Sequence, residues 1–234
     1  MNGLSILLRK LAESFKRDFT PKWEIHPVKK WLLIDPADGE GYLNETGEVR
    51  SDSPNVEKIQ CTIIGFPTLR QAYTYDCGAS AVSTILQFYG YDEREEQAMK
   101  GMKTDKSGTS ITHIVDYFKK HGFQVVAKSS TVDEIKGWID QCLPVILSLQ
   151  AWPDNNTDGW QDKNTSGHYV IAVGYTDQHI ICSDPSSVYD SYIPYAELDR
   201  RWHDEDDGKI YDHYVIVPSG QAPVYEHNRI MKLG

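Results

Sequence analysis

Four side chains stand in the order that thiol chemistry requires. Cys77 lies in the run YDCGASAV, with Gln71 six residues before it; His168 lies in SGHYVIAV and Asp184 in CSDPS. A thiol attacks as the thiolate, and the free N–H groups and dipole of a helix N-terminus stabilise that anion. Asp76 stands where an N-cap belongs, ahead of Ala79, Val82, Ile85, Leu86 and Tyr89 at helical spacing, and Gly90 closes the run. This predicts a buried helix starting at Cys77, with Gly78 admitting a close-approaching substrate backbone. A nucleophile also needs a base, a group that orients the base, and donors for the oxyanion. His168 opens a strand-like run, so it can face a cleft. Asp184 closes the next one, and antiparallel pairing of the two would set it beside the imidazole. Gln71 is near enough for its amide N–H to join the Cys77 backbone N–H at one oxyanion.

The other cysteines lack such a setting. Cys61 and Cys182 fall within strand-like runs, and Cys142 near a helix end before Pro144, which is where inert packing thiols belong. Four cysteines in 234 residues are too sparse for a disulfide scaffold, and no CxxC pair exists. Among the remaining histidines, His113 and His121 fall on a helix and His203 and His213 near acidic residues, without comparable context.

These groups need elements to position them. Leu4, Leu7, Leu8, Leu11, Phe15 and Phe19 predict an amphipathic helix with Arg9, Lys10, Lys16 and Arg17 on its polar side. We expect it to pack on its own domain in preference to a membrane surface, and Pro21 ends it. Residues 23–34 and 56–65 look strand-like, around a turn-rich loop or irregular hairpin. After the Cys77 helix comes one over 92–101. Another is capped by Thr109 or Ser110, with Ile111, Ile114, Val115 and Phe118 on one face and Gly122 past its end. The strand FQVVA follows, then a helix carrying Ile135, Trp138 and Ile139 behind a Thr131–Glu134 capping box. The pattern then turns to strands: PVILSLQAW, HYVIAVGYT, HIICSDP and YDHYVIVP, interrupted by a short helix near 194–203. Helices first and strands afterwards make an α+β order. The domain expectation is an N-terminal extension at 1–60 packed on the core, a catalytic domain at 61–220 and a tail at 221–234.

The composition is that of an ordinary globular chain, 40% hydrophobic and 25% charged. A net charge of −10 argues against a nucleic-acid binder. No apolar stretch approaches the ~20 residues of a membrane span, and charged residues follow Leu4–Leu8 in place of a cleavage site. A working thiolate must stay reduced, so the expected compartment is cytoplasmic.

The runs RQAYTYDCGASAVSTILQFYG, GTSITHIVDYFKKHGF, PVILSLQAW, GHYVIAVGYTD and CSDPS together resemble peptidase family C39, a group of papain-like cysteine peptidases. The likeness extends from about residue 68 to about 217. It implies a papain-like fold and carries the family's catalytic set onto Cys77, His168, Asp184 and Gln71. It further implies hydrolysis of a peptide or protein substrate through a thioester, without a cofactor. Better-known relatives cleave leader peptides after a double glycine as the N-terminal domain of an ABC exporter. This chain has no Walker motif and adds about 60 residues before the likeness begins, so it resembles stand-alone members with the same LQAW and SGHY patterns more closely. Two alternatives use the same residues differently: transfer of the acyl group to an amine, and a non-catalytic peptide-binding module. Retention of both Cys77 and His168 argues against the latter.

A second candidate site is the run DNNTDG, in which Asp154, Asn156 and Asp158, with Asp162, match calcium-loop positions. Thr165 stands where the loop's closing Glu belongs, and no helix pattern flanks it, so a polar turn is expected and no metal. DEDDG at 204–208 likewise reads as a solvated turn.

Overall fold

In the computed structural model the described residues are the strand backbones at 31–34, 41–44 and 56–58, then 59–63, 65–152, 160, 164–225, 230 and 232. The amphipathic helix expected at the N-terminus and the DNNTDG run lie outside them.

Three short strands come first: β1 (Trp31–Ile34), β2 (Gly41–Asn44) and β3 (Val56–Lys58), in the order β2-β1-β3. The turn-rich segment thus contains a strand that folds back on β1, Ile34 opposite Gly41. The helical part follows β4 (Cys61–Thr62) and consists of α1 (Cys77–Phe88), α2 (Glu95–Met102) and α3 (Ile111–Lys120). After β5 (Gln124–Ser129) and α4 (Val132–Ile139) come β6 (Val145–Gln150), β7 (Gly167–Tyr175), β8 (His179–Ser183) and β9 (Ser191–Pro194). Helix α5 (Tyr195–Arg201), the hairpin β10 (His203–Asp206) and β11 (Lys209–Asp212), and β12 (Tyr214–Ser219) complete the order.

Helices precede a largely antiparallel sheet, so the α+β class holds. The large sheet runs β5-β12-β6-β7-β8-β9, with β4 also paired to β7. Every residue of β6 and β8 is buried, and β7 from His168 to Gly174. Both faces are therefore covered, which explains runs as apolar as PVILSL and YVIAV. Helix α1 packs on β7 and is buried at every position but Gln87. Its small residues Gly78, Ala79, Ser80, Ala81 and Ser83 let the backbone come close to its neighbours.

Two helix starts differ from expectation. Asp76 is at the N-cap position, yet its side chain makes no cap bond to α1. Ser110 precedes α3, but the carboxylate that accepts from the Ile111 N–H is that of Asp206, at 2.8 Å. A carboxylate from another element serves as well as a local hydroxyl, and its charge suits the positive end of the helix. Thr131 does cap α4 locally, accepting from the Glu134 N–H at 3.2 Å. Within the tail, Val224 and Tyr225 both donate backbone N–H bonds to the Phe88 carbonyl, and Tyr225 packs against the core.

Candidate active site

The thiol of Cys77 opens α1, where the first amides of the helix have no intrahelical acceptor. Asp76, fully buried, turns its carboxylate backwards and accepts from the N–H groups of Ala72 and Tyr73 at 3.2 and 3.1 Å. It thereby folds 71–76 into a compact turn before the thiol. Gly78 leaves no room for a side chain: a Cβ there would meet Thr109 Cβ at 2.9 Å and Tyr169 Cδ2 at 3.0 Å. The close approach that needs glycine is thus made by the protein's own side chains, not by a substrate backbone.

The sheet brings His168 and Asp184 together. Ile171 pairs with Ser183, so Asp184 stands just beyond the last rung of the β7–β8 ladder. By the two-residue period of a strand it shares a face with 170 and 168, on the diagonal from His168. His168 Nε2 lies 2.8 Å from Asp184 Oδ1, and the Cys77 thiol is near enough to bear on the imidazole's proton affinity. With Nε2 committed to the carboxylate, Nδ1 is the ring nitrogen left for sulfur. Burial pulls the imidazole pKa down, but Asp184 and Cys77 outweigh it and raise it from 6.5 to about 9. Burial pushes the Asp184 carboxyl up, but the bond and charge of His168 and the Ser186 N–H and hydroxyl outweigh it and hold it at about 2. The pair is therefore an ion pair across the neutral range.

Gln71 is tied to the same region by its main chain, its N–H donating to the Pro185 carbonyl at 2.9 Å. Its side-chain Nε2 donates to Tyr73 O at 2.6 Å, and its Oε1 is buried without a partner among the described residues. No direct bond joins Gln71 to Cys77. A carboxamide nitrogen carries two hydrogens, so the Tyr73 bond fixes the group and leaves one N–H to spare.

Two residues escaped the sequence reading. Trp152 adopts a left-handed φ of 48° and sets its ring against the His168 imidazole at a tilt of 49°, centroids 4.8 Å apart. It is the last letter of LQAW, and an exposed aromatic ending a buried strand was the signal available. Asp204 is the second. It belongs to the acidic run read as a solvated turn, yet it is buried and accepts from Ser148 Oγ at 2.8 Å, Gln150 Nε2 at 3.1 Å and the Glu205 N–H at 2.9 Å. A Cβ on Gly167 would strike its carboxylate at 2.7 Å. Gln150 in turn accepts from the Ser166 N–H at 3.0 Å. Asp204 thus fixes the entry to β7, one residue from His168.

The other thiols are free. Burial, then Asp140, pushes Cys61 up to about 12, and burial raises Cys142 and Cys182. His121 pairs with Glu93, His213 with Asp199 and Asp212, and His203 binds Asn164 and the Trp160 carbonyl. Among the described residues no helix is long and apolar enough to cross a membrane.

A fold of this kind with a thiol, an imidazole and a carboxylate in line is that of a papain-like peptidase domain. The peptidase C39 family matches residues 65–205, and the chain belongs to it. The fold is similar to that of the peptidase domain of Streptococcus ComA, a bifunctional ABC transporter, at 21% identity and a TM-score of 0.52. That alignment covers 67% of this chain and 99% of the other. A Bacillus anthracis protein described as a C39-like peptidase aligns with a TM-score of 0.54 at 13% identity, covering 69% of this chain and 98% of its own. No curated protein matches the chain in sequence.

Proposed function

We propose that the chain is a cysteine peptidase in which Cys77 is the nucleophile, His168 its base and acid, Asp184 the group orienting His168, and Gln71 an oxyanion donor. The observation that carries this reading is the continuous line from the helix-terminal thiol through His168 to Asp184. Membership of the peptidase C39 family supports it. Cys77 Sγ attacks the scissile carbonyl, and the oxyanion that forms accepts from the Cys77 N–H and the spare Gln71 N–H. His168 gives its proton to the leaving nitrogen as the C–N bond breaks, leaving a thioester. Water then attacks the thioester, His168 takes its proton, and the thiolate is released. The substrate is a peptide or protein, and no step needs a cofactor.

The test is alkylation with iodoacetamide at low stoichiometry, read by mass spectrometry, beside cleavage of a randomised peptide library. Cys77 should be labelled ahead of Cys61, Cys142 and Cys182, and Cys77→Ala should abolish cleavage. Equal labelling of the four thiols would sink the activated-thiol reading.

A further inference from the structure

Trp152 stands where the alternation of its strand would not put it. In the β6–β7 ladder Leu149 is opposite His168 and Gln150 opposite Gly167, and Ala151 continues the pairing through its N–H to the Ser166 carbonyl at 2.8 Å. Residues directly opposite share a face, so Leu149 and Ala151 lie on the face of His168. Gln150 lies on the other, where it reaches Asp204. By that period Trp152 belongs with Gln150. Its left-handed φ of 48° breaks the alternation instead, and the indole returns to His168, ring centroids 4.8 Å apart.

Such a backbone conformation is costly for a residue with a Cβ, and burial does not explain it. Trp152 is 57% exposed, whereas the imidazole it touches is only 3% exposed. Trp152, His168 and Asp184 also share the lining of one cavity of about 360 Å³. Removing the indole would extend that cavity along the flank of the imidazole that the ring now covers. Water there would compete for the Nε2–H that His168 gives to Asp184 Oδ1, and would screen the charge between them.

We propose that Trp152 is a positioning residue for His168: it blocks rotation of the imidazole and keeps water from the His168–Asp184 bond, so that the other ring nitrogen stays directed at Cys77. The strained backbone is retained because only that conformation brings the indole to the imidazole. This rests on the peptidase reading and adds to it a residue that acts through the base.

The experiment compares wild type with Trp152→Ala, Trp152→Gly and Trp152→Phe. On the best library peptide, Ala and Gly should lower kcat roughly tenfold or more, with KM changed by less than about twofold, and Phe should restore much of the loss. Trp152→Gly should melt higher than Trp152→Ala, because glycine accepts the left-handed φ freely, yet be no more active. The proton between His168 and Asp184 should give a far-downfield 1H NMR signal in the wild type, absent from His168→Ala and lost to exchange with water in Trp152→Ala and Trp152→Gly. A raised KM with kcat unchanged would overturn the proposal and make the indole a substrate contact. An unchanged kcat, or a proton signal that persists in Trp152→Ala or is missing from the wild type, overturns it as well. The proton signal needs no turnover: absence of cleavage of every library peptide overturns the peptidase reading, while the signal still decides whether Trp152 shields the pair.

Discussion

His168 Nε2 on β7 and Asp184 Oδ1, one residue past the end of antiparallel β8, are 2.8 Å apart, and the imidazole's other nitrogen is left for Cys77. The bond does two things: it orients the ring, and it raises the ring's affinity for a second proton. These separate in mutants. Asp184→Asn keeps an oxygen acceptor for Nε2–H but removes the charge. Because the active ring carries both protons, no wrong tautomer is selected, and kcat/KM should fall well short of the ~10⁴ lost on the same change in a serine triad. The alkaline limb, near pH 9 in the wild type, should move to lower pH. Asp184→Ala should be worse by a further order of magnitude or so. An unmoved alkaline limb in Asp184→Asn would contradict the charge argument.

The same pair makes stability depend on pH. His168 titrates at about 9 folded and 6.5 unfolded, so its contribution is complete below 6.5 and disappears as pH rises through 9. Asp184 titrates at about 2 folded and 3.8 unfolded, so its contribution is present above 3.8 and disappears as pH falls through 2. The Tm difference between wild type and Asp184→Asn should thus be widest between about pH 4 and 6.5 and shrink at both ends. Calorimetry across pH 3–10 reads it directly, and a difference that grows towards pH 10 would refute the assignment.

Gly78→Ala should damage the protein although it adds a single methyl. The new Cβ would press on Thr109 and Tyr169, both buried, and the cost of such overpacking is about 1–3 kcal/mol. Because the residue adjoins Cys77, alkylation of the thiol should slow as well. Urea unfolding and the labelling rate check the two effects, and a neutral outcome in both would mean the neighbours yield freely.

Asp204→Ala should destabilise by about 2–4 kcal/mol, because buried Ser148 loses its acceptor, Gln150 keeps only the His203 carbonyl, and the Glu205 N–H is freed. Ser148→Ala removes one donor and keeps the carboxylate satisfied by the other two, so about 1 kcal/mol is expected. Equal losses in the two variants, measured by denaturant unfolding, would show that the carboxylate is not the hub.

The helix at Cys77 and the strands carrying His168 and Asp184 were legible because their evidence is local. A 3.6-residue apolar period, a closing Gly90 and β-branched runs all act over one element. What escaped was set by distance. Ser148 and Gln150 lie more than fifty residues from Asp204, so DEDDG looks like any solvated acidic turn until the fold closes over it. The cap of α3 comes from Asp206 for the same reason. Asp76 reads correctly by position and wrongly by role, since one carboxylate can face either the helix or the loop before it. Strand order is equally silent: nothing in YVIVP announces that it lies between β5 and β6.

That last placement sets the order in which the sheet can close during synthesis. A ribosome releases the helices and β5 to β8 first, Cys77, His168 and Asp184 among them. The gap between β5 and β6 stays open until β12 emerges, although β6 and β7 can already pair from Val145 to Gln150. A nascent chain stopped short of 214 therefore carries the reactive groups without the strand that joins β5 to β6. The last of the described strands is thus the one that closes the sheet, and closure comes after Cys77, His168 and Asp184 have all been made.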